Sequence, residues 1–211
     1  MRLYTYYRSS AAFRVRIALN LKGLAYDPSF VHLAKGEHLR ADYAALNPQG
    51  LVPALQVEGA LLTQSLAIME YLEEVQPQPA LLPEDALARA RVRALSLIVA
   101  CEIHPVNNLR VLKYVKNVLG HTQAETDAWY RHWIADGLAK LEAELKRPGT
   151  ARFCHGDAPS MADCCLVPQV FNAKRYDCEL APYPTVMRVF DACMQVGAFD
   201  RAQPSKQPDA E

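Results

Sequence analysis

The sequence predicts a two-part chain, an α/β region over residues 1–82 and an all-α region over 87–211, on three observations. Short apolar runs alternate with helically spaced segments up to about residue 82. A stretch with three closely spaced prolines, from Gln76-Pro77 through Pro79 and Pro83 to Asp85, reads as a linker. Beyond it the strand signals vanish and apolar positions recur at three and four.

Residues 2 to 7 alternate as a first strand. From Ser10 to Lys22 the apolar Ala11, Val15, Ala18 and Leu19 fall on one helical face, and Gly23 follows where a C-terminal cap belongs. Tyr26 to His32 alternates weakly and contains Pro28, which cannot donate to a ladder, so this second strand is expected at a sheet edge. Ala54–Val57 and Ala60–Thr63, joined by Glu58-Gly59, read as an antiparallel hairpin. A helix from Ser65 to about Val75 stops before Pro77. The order is β-α-β-(short helix)-β-β-α, followed by helices over 87–119, 123–146 and 160–175 and a shorter one from Tyr183-Pro184.

With 211 residues and 51% hydrophobic content the chain can bury a sizeable core. Lys plus Arg and Asp plus Glu number 23 each, so no whole-chain field attracts nucleic acid or an anionic membrane. No apolar leader precedes the first strand and no run reaches the ~18 apolar residues of a membrane span, so a cytoplasmic protein is expected. The six cysteines, all in the second half without a C-x-x-C pair, are read as reduced and mostly buried rather than as disulfides. The six histidines lack zinc spacing, and no metal site is expected.

Three places in the first half carry chemistry. Tyr7-Arg8-Ser9-Ser10 puts two hydroxyls and a cation where a helix begins, and free amides and the helix dipole there favour an anion such as a thiolate. A plain N-cap is the competing reading. In Gly50-Leu51-Val52-Pro53 a cis bond would turn the Val52 backbone toward a ligand, whereas a trans proline would simply start a strand. Gln64-Ser65 opens the next helix, either as a carboxylate pocket or as another cap. Ser160 to Asp163 has the form of a capping box and is assigned to folding.

Together, in order and at these spacings, the three segments resemble the thioredoxin-like domain of glutathione transferases. The run from Tyr6-Tyr7-Arg8-Ser9-Ser10 to Lys22-Gly23, with Leu46–Pro53 and Gln64–Leu72, looks like the zeta-class signature. So do His104–Leu112, Gly156–Asp163 and Leu180–Pro184, and the tail Gln207-Pro208-Asp209 fits as well. The resemblance spans essentially the whole chain. It implies glutathione as cofactor, with Ser9 hydrogen-bonded to its sulfur, Ser10 assisting, Val52 pairing with its cysteinyl backbone, and Gln64 and Ser65 on the γ-glutamyl carboxylate. His38 would reach the glycyl end, unless it is a solvated turn residue.

His104 and Asn108, four apart, would share a helical face at the glutathione site, though His104 beside Pro105 is also explicable as a helix-interior residue. Arg8, Arg110 and Arg175 would hold substrate carboxylates, with Lys174 an alternative to Arg175. The family's serine-serine-cysteine motif becomes Ser9-Ser10-Ala11 here, so no role of that cysteine can operate. Class members isomerise cis enone diacids, maleylacetoacetate or maleylpyruvate, by adding and eliminating the glutathione thiolate. The two substrates differ by one methylene, worth only about 1–3 kcal/mol in a pocket, and maleylacetoacetate is the preferred reading. A non-catalytic binding module would lack one of the three segments. The family is homodimeric, and a homodimer is expected.

Overall fold

The computed structural model describes residues 1–211. The chain divides into two compact units, Met1–Leu81 with Met194–Glu211, and Leu82–Cys193.

The first unit holds strands β1 (Arg2–Thr5), β2 (Asp27–Phe30), β3 (Ala54–Val57) and β4 (Ala60–Thr63) in the order β2-β1-β3-β4. β1 and β2 run parallel, whereas β1–β3 and β3–β4 are antiparallel. Pro28 lies in β2 at the sheet edge, where its missing N–H costs no interior ladder bond. The β3–β4 turn places both Glu58 and Gly59 at positive φ (49° and 82°), the backbone twist a two-residue hairpin requires. Helices α1 (Ser10–Leu21), α2 (Ala41–Leu46) and α3 (Ser65–Val75) complete the expected order.

β1 is shorter than the alternation suggests. Tyr6 and Tyr7 leave the ladder for a turn closed by Ser9 N–H to the Tyr6 carbonyl (3.0 Å), and their rings join Val31, Tyr43 and Val52 in an apolar cluster. α1 is buried on nearly every face, Arg14 and Arg16 included. The cause is the chain's return: α9 (Gly197–Ala202, numbered after the helices of the second unit) packs on α1 from the side that α3 leaves free. Residues 194–211, expected with the helical region, therefore belong to the first unit.

The second unit comprises α4 (Ala86–Leu97), a π-helical turn (Ile98–Ile103), α5 (Leu109–Asn117), α6 (Gln123–Leu145), α7 (Met161–Arg175) and most of α8 (Pro184–Met194). No helix is long and apolar enough to cross a membrane. The continuous helix expected over 87–119 is broken at 104–108, where Pro105 has no N–H to give. The π-helical turn sits against α6 at Gly137, where a Cβ would lie 2.2 Å from Ile103 Cγ1. At Ser160 the capping box forms: Asp163 Oδ2 accepts from both Ser160 N and Oγ at 2.7 Å.

Candidate active site

Ser9 sits at the N-terminus of α1 in extended backbone, and its Oγ accepts the Ala12 amide at 3.2 Å. The plain cap is thus realised, and it does not compete with the other reading. A capping hydroxyl uses a lone pair and keeps its proton to donate. Ser10, the first helical residue, is buried, and Arg8 is exposed with its guanidinium 6.0 Å from the Tyr7 ring centre.

Arg16, which sequence reasoning passed over, holds this turn from inside. Its fully buried guanidinium donates to Thr5 Oγ1 (3.1 Å) and to the carbonyls of Tyr6 (3.3 Å), Tyr7 (3.0 Å) and Ala202 (3.2 Å). Burial lowers its pKa to about 10, still charged at neutral pH. The Tyr6 phenol is pushed up to about 12 by burial and stays neutral, so it is no base.

The Val52-Pro53 bond is cis. The ladder begins only at Ala54, which leaves the Val52 amide and carbonyl outside it, while Tyr43 Oη (2.6 Å) and Asn47 Nδ2 (2.8 Å) fix the neighbouring Leu51 carbonyl.

Gln64 has φ 67° and ψ 115°, a strained position for a residue other than glycine. Its side chain donates to Gln49 Oε1 (3.0 Å) and does not cap α3. No side chain therefore caps the first turn of α3, an arrangement suited to a carboxylate. Beneath that turn Arg14, 3% exposed, donates to Ser65 Oγ at 3.2 Å and places a fixed positive charge there. Neither arginine has a local sequence signal apart from being a charge in an otherwise apolar helix. His38 lies half-buried in a 3₁₀ turn (Glu37–Leu39) of the β2–α2 connection.

In the helical unit, His104 ends the π-helical turn and Asn108 caps α5, its Oδ1 accepting the Arg110 amide at 3.1 Å. They share no helical face, because the helix is interrupted between them. One stretch of α6 organises this break: Trp129 Nε1 donates to Val106 O (2.9 Å), and Asn107 Nδ2 donates to Tyr130 O (3.3 Å). The Tyr130 ring stacks on Tyr176 at 3.6 Å and 12°, and Arg131 Nε donates to Tyr176 O at 2.8 Å. Arg175 lies 4.8 Å from the Tyr176 ring centre and donates a hydrogen bond to the Tyr130 phenol. The segments bearing Arg110 and Arg175 are thus both fastened to residues 129–131, and the two exposed guanidiniums are available for anions. Lys174 is turned onto the Phe190 ring, 4.1 Å away, which favours Arg175 of the pair.

The cysteines are all unbridged; four are buried, Cys178 is half-buried and Cys101 exposed. Burial first, then the nearby Asp163 carboxylate, pushes the Cys154 and Cys193 thiols well up, and burial also raises Cys178. None of these three supplies a thiolate. No three His, Cys, Asp or Glu side chains are grouped to hold a metal.

A thioredoxin-like sheet with an α3 terminus uncapped by any side chain and a hydroxyl at the α1 terminus, followed by a helical unit, is the arrangement of the glutathione transferases. Residues 8–75 match the glutathione S-transferase N-terminal domain and 123–192 the C-terminal domain. The maleylacetoacetate isomerase of Rhizobium meliloti is 50% identical over 204 residues, 97% of this chain and 96% of the relative. The holo structure of a zeta-class maleylpyruvate isomerase, a bacterial glutathione S-transferase, has TM-score 0.98 at 50% identity over the whole of both chains. A maleylacetoacetate isomerase from Methylobacterium extorquens, crystallised with malonate and glutathione, has TM-score 0.97 at 43% identity, again over both entire chains. The chain belongs to the zeta class of the glutathione transferase family.

Proposed function

We propose that this chain is a glutathione-dependent isomerase that converts maleylacetoacetate to its trans isomer, fumarylacetoacetate, in aromatic amino-acid breakdown. The observation that carries the reading is the pairing of the Ser9 hydroxyl, engaged only as an acceptor, with the uncapped α3 terminus over Arg14. These groups fit glutathione: an O–H for its sulfur, free backbone at Val52 for its cysteinyl unit, and a positive helix end for its γ-glutamyl carboxylate.

When bound, glutathione supplies a thiolate that adds reversibly to the conjugated alkene, so that the former double bond can rotate before elimination. The protein's residues prepare that event. Ser9 donates to the sulfur anion, with Ser10 shaping the helix start, and so holds the thiol deprotonated near neutral pH. Val52, Gln64 and Ser65 fix the remainder of the tripeptide, with His38 toward its glycyl end. By the family resemblance, His104 and Asn108 are also assigned to glutathione binding. Arg8, Arg110 and Arg175 take the substrate's carboxylates and stabilise charge that develops beside them.

A second reading, maleylpyruvate isomerase, is supported by the 50% identical zeta-class relative of that name. A non-catalytic binding module is disfavoured, because all three N-terminal segments are present. We also read the protein as cytoplasmic and homodimeric, so that light scattering is expected to give the mass of two chains. Supplying each cis diacid with and without glutathione, and following loss of the enone absorbance, ranks the two substrates. Turnover without glutathione would sink the mechanism.

A further inference from the structure

The turn that carries Arg8 and Ser9 is held from two sides. Arg16 fixes its carbonyls, at Tyr6 and Tyr7. On the amide side, Tyr7 N–H is taken by Asp209, whose Oδ2 lies 2.9 Å away. The Asp209 charge also favours the protonated form of Arg16, so the two holders support each other. Two positions further on, the Glu211 carboxylate pairs with Lys35 and lies 3.4 Å from His32 Nε2. His32 Nδ1 accepts the Lys35 amide (3.1 Å), and the His32 amide donates to Glu37 Oε2 (2.8 Å), next to His38. Upstream, Ala202 and Ala198 give their carbonyls to Arg16 and to Asn20 (3.0 Å) of α1. Residues 198–211 therefore touch α1, the Ser9 turn and the loop leading to His38.

We propose that this segment is a positioning clasp for the glutathione site, with Asp209 the positioning residue that sets the Ser9 hydroxyl through the Tyr7 amide. The role of Asp209 runs through the Tyr7 amide. A hydrogen bond to the peptide two residues before Ser9 fixes the direction in which the α1 terminus begins, and a misplacement of about 1 Å at such a site is enough to cost about a hundredfold in rate. Glu211 contributes less, since its ion pairs are exposed and screened by salt.

The proposal rests on the glutathione reading, and the test separates the two. Titration of the bound glutathione thiolate by its ultraviolet absorbance needs no isomerase substrate; if the unsubstituted protein shows no bound thiolate near neutral pH, it is the glutathione reading that fails. Given a bound thiolate, Asp209→Ala is expected to raise the pH at which it forms and to lower kcat about tenfold. The KM for glutathione should change much less, and the melting temperature should stay that of the unsubstituted protein. Asp209→Asn keeps an amide oxygen for Tyr7 N–H and is expected to retain at least about half of kcat. Glu211→Gln should show a smaller change that disappears in high salt. The clasp is overturned if Asp209→Ala leaves the thiolate titration and kcat alone, if its losses track a fall in melting temperature, or if Asp209→Asn is as impaired as Asp209→Ala.

Discussion

In the N-terminal unit the candidate binding groups are short: a serine hydroxyl, the Val52 peptide and the amides of one helix turn, held by two buried arginines that point away from solvent. In the helical unit they are long: the exposed guanidiniums of Arg110 and Arg175, carried on segments fastened to α6. Backbone and short side chains lose little freedom on binding and define one ligand geometry. Long arginines accept carboxylates over a range of positions at an entropic cost. The first arrangement suits a cofactor that never changes, and the second a substrate that differs by a methylene among relatives.

The largest expected effect breaks that division at its centre. Ser9→Ala should lower kcat by about a hundredfold or more, the cost of one donor aimed at an anion, while the affinity for glutathione falls only a little. Equal losses in both, measured by steady-state kinetics beside calorimetry, would make Ser9 an ordinary binding residue. A crossed pair comes next. Arg14→Leu removes the charge under Ser65 and should weaken glutathione about tenfold to a hundredfold, the worth of a charge-assisted hydrogen bond. Arg175→Ala should instead raise the KM for the diacid about tenfold with glutathione affinity unchanged. If each variant moved both ligands alike, the division of labour would be wrong.

The smallest effect concerns stability of the helical unit. Burial alone would raise the Glu142 carboxyl, yet hydrogen bonds from the Val186 amide (2.9 Å) and Thr185 amide (3.2 Å), with Lys146 nearby, hold it below the usual carboxylate range. A depressed folded value stabilises the protein above the ordinary carboxylate pKa of about 4.3 and is lost as pH falls through the lower folded value. Glu142→Gln should therefore lower the melting temperature by about 3 °C at pH 7, with a gap that closes as the solution is acidified below that range. A gap that persists in acid would point to packing instead.

How much of this was legible follows from how local each signal is. The hairpin and α3 fall where expected because Glu58-Gly59 and Pro77 mark their ends chemically. The break at 104–108 was hidden because apolar spacing continues through it, from Val99 and Ile103 to Leu109 and Leu112. Arg14 and Arg16 carry no local signal of burial, which follows only once α9 is known to cover the second face of α1. That cover comes from the other end of the chain, and so does Asp209; no window of neighbouring residues contains it. Gln64 hides its role in another way, since nothing in a glutamine announces a positive φ. The residues that would touch glutathione were visible as motif, whereas those that hold them in place were not.

The approach at Gly137 has a consequence beyond packing. The π-helical turn rests in the space where a side chain at 137 would stand, and the segment leading to Arg110 continues from that turn. A methyl group there must displace the Ile103 side chain, the last residue of the π-helical turn before the 104–110 segment. A substitution at Gly137 is thus felt first at the turn that leads into the 104–110 segment, not at its own helix.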